Sequence, residues 1–138
     1  MPRVTNKYPR WQKSKTAVYN LSYHFIWCTK YRKLVLIDRV EKRLKELIHE
    51  KASEHEWTIK SLEVMPDHVH VFISVFPQDS PQHIASQLKG FSSRYLRIEF
   101  ADLKNKLPTL WTRSYYCESV GHISERTIKK YIEDQKNK

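Results

Sequence analysis

Two apolar runs, WTIKSLEVM (57–65) and HVHVFISVF (68–76), are separated by Pro66-Asp67 alone. Both loop residues are turn formers, and two residues suffice to join antiparallel strands, so the segment reads as a β-hairpin. Loop length then sets the register. Met65 faces His68, Val64 faces Val69, Glu63 faces His70 and Leu62 faces Val71, and apolar residues meet apolar residues. Strand period two sends Val69, Val71, Ile73 and Val75 to one side of the sheet and His68 and His70 to the other.

The remaining chain supplies partners for that hairpin. AVYNLSYHFIWC (17–28) alternates, with Leu21, Tyr23, Phe25 and Trp27 on one side and Ser22, His24, Ile26 and Cys28 on the other. Asp38 is a candidate N-cap for a helix to about residue 55, with Val40, Leu44, Leu47, Ile48 and Ala52 as its apolar stripe. Ser80-Pro81 opens a second helix to about residue 100, with Ile84, Leu88, Phe91 and Tyr95 facing inward. Gly90 costs that helix about 1 kcal/mol relative to alanine, and close backbone approach is one reason to keep it. Residues 111–120 read as a fourth strand, Gly121 as a break and Ser124 as the cap of a last helix over 125–136. The order β-α-β-β-α-β predicts a ferredoxin-like α+β fold, a four-stranded antiparallel sheet with two helices on one face. The organisation expected is a basic arm over 1–16, a ferredoxin-like domain over 17–120 and a C-terminal helix over 121–138.

Charge narrows the partners. The 138 residues hold 25 Lys+Arg against 15 Asp+Glu, a formal charge of +10. Residues 1–16 carry Arg3, Lys7, Arg10, Lys13 and Lys15 and no acid. A polyanion, nucleic acid first, is the expected partner. No apolar run reaches the roughly 18–20 residues of a membrane span, and the start has no apolar h-region, so a cytoplasmic protein is expected. Cys28 and Cys117 are too few for a disulfide framework.

Three features carry possible chemistry. Imidazoles at i and i+2 on one strand face can chelate a divalent ion, and the same spacing suits two polar residues on a solvated face. Glu63 beside His70 can orient the ring or bind metal, or be a surface cross-strand pair. In the last helix Tyr131 and Gln135 share a face at i, i+4. Tyrosine oxygen is a nucleophile and a glutamine carbonyl a hard oxygen ligand, while an amphipathic core tyrosine fits the same stripe.

Met65-Pro66-Asp67-His68-Val69-His70, followed by an apolar strand, resembles the HUH motif of the single-tyrosine, single-strand DNA transposases of the IS200-like group. Tyr23-His24-Phe25-Ile26-Trp27-Cys28-Thr29-Lys30-Tyr31-Arg32 is similar to that family's first strand. Leu88-Lys89-Gly90-Phe91-Ser92-Ser93-Arg94 is similar to its second helix, and Ile128-Lys129-Lys130-Tyr131-Ile132-Glu133-Asp134-Gln135 to its catalytic helix. The resemblance implies metal ligation by His68, His70 and Gln135, with Mg²⁺ or Mn²⁺ as the ion, and Tyr131 as the nucleophile. It further implies cleavage of single-stranded DNA through a 5′-phosphotyrosine, recognition of hairpins at element ends, and a homodimer in which the tyrosine helix crosses to the partner. Arg10, Trp11, Lys30, Tyr31, Arg32, Lys33, Lys89 and Arg94 are candidate DNA contacts, with Phe91 a further stacking residue. Three rival readings are a REP-associated tyrosine transposase, a non-catalytic RNA-binding module of the same strand order and a water-using metal hydrolase.

Overall fold

A computed structural model describes residues 21–120 and 130–135, together with the backbone of 12–13 and 18–19. Gln12–Lys13 (β1) and Val18–Tyr19 (β2) pair as a short two-stranded ribbon. The main sheet is built from Ser22–Cys28 (β3), Thr58–Met65 (β4), His68–Ser74 (β5) and Tyr116–Ser119 (β6), in the order β4-β5-β3-β6 and antiparallel throughout. Helices Asp38–Glu54 (α1) and Pro81–Glu99 (α2) make the two crossovers, which gives the ferredoxin-like arrangement. Ala101–Lys106 (α3) follows α2, and the last helix is described over 130–135 (α4).

The hairpin has the register that its two-residue loop demands: Met65 with His68, Val64 with Val69, Glu63 with His70, and Leu62 with Val71. Val69, Val71 and Ile73 lie fully buried beneath α1 and α2, against Leu44, Leu47, Ile48, Ile84 and Leu88. Burial of each such side chain contributes about 1.5–3 kcal/mol. The opposite sheet face receives α4. Ile132 is fully buried with Phe72 and Val120 in a separate small cluster, which seats α4 on its own chain's sheet.

Several local expectations change. The first strand begins at Ser22 rather than 17, with Val18–Tyr19 diverted into the ribbon. Asp38 is the first helical residue with φ 54, and Ile37 holds the N-cap position without a side-chain cap. The entry is fixed instead by buried Leu36, whose N–H donates to the Pro66 carbonyl at 2.9 Å. Tyr95 is 37% exposed, because the inward face of α2 runs through Ile84, Ala85, Leu88, Ser92 and Leu96, with Phe91 partly buried. Ser92 earns that inward place by donating to the Leu88 carbonyl at 2.7 Å and accepting from Trp111 Nε1 at 3.2 Å. The fourth strand is short. Trp111 makes only an isolated bridge to Thr29, and α3 and a loop fill residues assigned neither to helix nor to strand in advance. Gly121 and Ser124 lie outside the described residues.

Nothing lies within 4 Å of a Cβ built on Gly90, so internal close approach is not what keeps it glycine. Gly90→Ala should therefore stabilise the protein by about 1 kcal/mol through helix propensity. Urea unfolding checks this; a loss of stability would mean that the site is not open.

Candidate active site

The turn that reverses the hairpin also holds its first histidine. Asp67 Oδ1 accepts a hydrogen bond from His68 Nδ1 at 2.6 Å, and Asp67 Oδ2 accepts one from Arg32 Nε at 2.9 Å. Burial raises the Asp67 pKa, but the bonds from His68 and Arg32 outweigh it and hold the carboxyl below its ordinary value. The Asp67 carbonyl additionally accepts from the Thr29 N–H at 3.0 Å, which ties the turn to the end of β3.

His70 is held from the neighbouring strand. His24 on β3 lies beside it with rings stacked at 5.6 Å between centroids and 10° between planes, and His24 Nε2 is 3.4 Å from His70 Nδ1. Glu118 Oε1 on β6 lies 3.9 Å from His24 Nδ1. The tautomer that directs each N–H along this row has His70 Nδ1 donating to His24 Nε2 and the His24 Nδ1 proton facing Glu118. It leaves His70 Nε2 bare. Burial, then the nearby His68 and His24 charges, push the His70 pKa down to about 4. His24 is lowered mainly by burial, with Glu118 opposing. His70 is therefore a neutral imidazole at pH 7.

The two imidazoles of β5 are 5.0 Å apart between centroids at 71°. Each engages its Nδ1 with a neighbour and keeps Nε2 for a ligand, the arrangement of metal-bound histidine. The spacing matches two rings sharing one ion at about 2.1 Å per nitrogen, so the residues fit a divalent metal. Among the described residues no three His, Cys, Asp or Glu side chains form a metal cage, so further ligands would be amide, water or phosphate oxygens.

The α4 helix brings the tyrosine to this pair. The Tyr131 ring lies 6.0 Å from the His70 ring at 74° and is 48% exposed. Gln135 is one turn further and half-buried. Glu63 sits opposite His70 and lines a cleft with Glu133 of α4. The neighbour at His70 Nδ1 is His24, a residue that sequence reading placed on the correct face without giving it a role. The signal was there in its even spacing from Ser22 to Cys28.

The basic candidates divide. Arg10 and Trp11 lie outside the described residues. Lys30, Tyr31, Arg32 and Lys33 gather at the His68 end of the sheet, with Lys30 Nζ 5.3 Å from the ring centroid of Tyr31, which is 68% exposed. Arg32 is engaged by Asp67. Lys89 is committed to the fold, because its ammonium donates to the carbonyls of Thr112, Arg113 and Ser114 at 2.8, 3.3 and 3.1 Å. Phe91 packs against Tyr95 at 4.8 Å and under Lys51. Arg94 is exposed and lines a cleft between α2 and α3 with Gly90, Arg97 and Lys104.

The His24–His70 pair, the turn-held His68 and the helix that carries Tyr131 thus share one face of one ferredoxin-like sheet. The model of the family "Transposase IS200 like" matches residues 17–135. The ISDra2 transposase TnpA of Deinococcus radiodurans is 39% identical over 129 residues, covering 92% of each chain. The transposase for insertion sequence element IS200 of Salmonella typhimurium is 29% identical over 119 residues, 85% of this chain and 78% of that one. A crystal structure from Deinococcus radiodurans R1 assigned as a transposase superposes with a TM-score of 0.75 at 38% identity, covering 89% of this chain and 96% of that one. A REP-associated tyrosine transposase bound to a REP hairpin shares the fold, with a TM-score of 0.64 at 15% identity over 87% of this chain and 70% of that one. The chain belongs to the IS200-like transposase family, and transposition is its function. Among the described residues no helix is long and apolar enough to cross a membrane.

The depressed His70 pKa gives a pH prediction. The unfolded chain takes up a proton near pH 6.5 that the folded one refuses until about 4, so stability rises with pH across that window. Metal-free protein should lose urea resistance steadily from pH 6.5 towards 4, and His70→Asn should flatten that trend. A flat profile in the parent protein would contradict a buried neutral His70.

Proposed function

We propose that this transposase cuts and rejoins single-stranded DNA through a covalent Tyr131 intermediate. The carrying observation is the Tyr131 ring at 6.0 Å, centroid to centroid, from the ring of His70, which with His68 engages Nδ1 with a neighbour and keeps Nε2 for a ligand. Tyr131 Oη attacks the scissile phosphorus, the P–O3′ bond breaks, and the products are a 5′-phosphotyrosine and a free 3′-OH. The linkage keeps its bond energy, so another 3′-OH can displace Tyr131 and rejoin strands without ATP. His68, His70 and Gln135 would hold Mg²⁺ or Mn²⁺, which would neutralise phosphoryl charge and orient the phosphate. Asp67 and the His24–Glu118 row keep the two rings aimed, and Glu63 is a further candidate for that task.

Tyr116 is the rival nucleophile on this face. It donates to Glu118 Oε2 at 2.9 Å, and that bond raises its pKa, which keeps it a phenol. Tyr115 packs on Phe25 at 5.9 Å, on the helix-covered side. The proposed DNA surface is the Lys30–Lys33 segment together with the arm at 1–16, and hairpins at element ends are the proposed recognition element. The bound hairpin of the REP-associated structure supports that reading by analogy.

Tyr131→Phe should abolish covalent adduct formation on single-stranded element ends while hairpin affinity changes little. His68→Ala or His70→Ala should abolish cleavage, and Gln135→Ala should cost less because water can replace one carbonyl. His24→Ala should cost about 10–100-fold in metal affinity or rate, and Glu63→Ala a similar amount if Glu63 also orients His70. Denaturing gels with Mg²⁺ or Mn²⁺ read cleavage and adduct, native gel shifts read hairpin affinity, and calorimetry reads metal affinity. A persistent adduct in Tyr131→Phe would move the nucleophile elsewhere.

A homodimer is also proposed, because strand exchange needs two cleaved ends held together and one chain offers one histidine pair and one Tyr131. The sequence resemblance implies a crossing helix, whereas α4 here rests on its own sheet through Ile132, Phe72 and Val120. Mixing His68→Ala/His70→Ala protein with Tyr131→Phe protein separates the two arrangements. Sites shared between chains restore cleavage in mixed dimers; mixed dimers that stay inactive mean that each site is complete in one chain.

A further inference from the structure

We infer that His55, His83 and Gln87 form a second divalent-metal site, specific for a borderline transition ion such as Zn²⁺, Ni²⁺ or Cu²⁺. The site lies at the end of the sheet away from His68. Thr58 pairs with Ser74 at the last residue of β5, so this cluster is about 20 Å along the strand from the catalytic turn.

Two elements converge there. His55 is the C-cap of α1, and its Nε2 lies 3.2 Å from Gln87 Oε1. His83 and Gln87 are i and i+4 on the first turns of α2, hence on one face. The His55 and His83 rings are 5.6 Å apart between centroids and perpendicular. Two donors cis on an ion at about 2.0–2.2 Å lie about 3 Å apart, which the His55–Gln87 contact already satisfies. Glu54 Oε2, 3.7 Å from His55 Nε2, is engaged by Lys51 Nζ at 2.7 Å and stays outside the set, so water would complete the coordination. Two imidazoles with an amide oxygen favour borderline ions, whereas Mg²⁺ and Ca²⁺ prefer oxygen alone. The set is held from behind. His55 stacks on Trp57 at 4.2 Å and 12°, and Trp57 Nε1 donates to Asp79 Oδ2 at 2.7 Å. The ring is thereby fixed in plane, and His83, which is exposed, is the arm free to close on the ion. The ion would tie the end of α1 to the start of α2.

Trp57 makes the site observable without catalysis, because a paramagnetic ion beside its ring quenches its fluorescence. Ni²⁺ is titrated into tag-free His68→Ala/His70→Ala protein and, in parallel, into the parent chain, with tryptophan fluorescence and calorimetric stoichiometry recorded. The expected result is saturable quenching at one equivalent in the double variant and a second bound equivalent in the parent. Adding His83→Ala should raise the half-saturating concentration at least tenfold. Trp57→Phe should remove the quenching while calorimetry still shows the ion bound. Millimolar Mg²⁺ should leave the fluorescence unchanged. Quenching that His83→Ala does not weaken, or no saturable quenching in either protein, would overturn the assignment.

Discussion

The two-residue Pro66-Asp67 turn is the constraint on which the rest of the structure depends. It admits one register, and that register sorts the hairpin side chains between two faces. A slip by one residue would bury His68 and His70 beneath the helices and turn Val69 and Val71 outward. The valine face covered by α1 and α2 thus enforces the position of the histidines. The turn has a second duty, since Asp67 clamps His68 Nδ1 while its backbone carbonyl fastens β3 through Thr29. Fold and site are set by the same few atoms.

The open face gains its chemistry from being only partly covered. Phe72 follows His70 by two residues and so shares its face, where with Val120 it forms the seat for Ile132. That apolar contact brings Tyr131 to the His70 ring and removes His70 from water, leaving it 3% exposed and neutral. Tyr131 keeps half its surface open. Burial of His70 and exposure of Tyr131 are two consequences of one helix docking over one sheet.

Periodicity made the sheet legible. The hairpin register, the faces of His68 and His70, and the order of strands and helices all follow from alternation and loop length. Asp38 misled because a buried Leu36 controls the helix entry and overrides capping preference. Tyr95 misled because the inward position next to it belongs to Ser92, whose hydroxyl satisfies both Leu88 and Trp111, a pairing invisible to an apolar count. Lys89, a candidate phosphate contact by charge alone, donates to three carbonyls of a loop 23–25 residues away, which no local pattern shows. His24 and Glu118 carried no motif, because their role arises only when β3 lies between β5 and β6. Short-range pattern reveals which face a residue takes; what it touches across the sheet requires the fold.

The central claim is that the tyrosine seated beside the histidine pair carries the DNA. The most direct measurement is mass spectrometry of peptides from protein trapped with a single-stranded element end and Mg²⁺ or Mn²⁺. The account predicts a nucleotide attached through phosphate to the peptide containing Tyr131, and to no other tyrosine. Attachment at Tyr116, or cleavage with no protein-linked nucleotide at all, would contradict it.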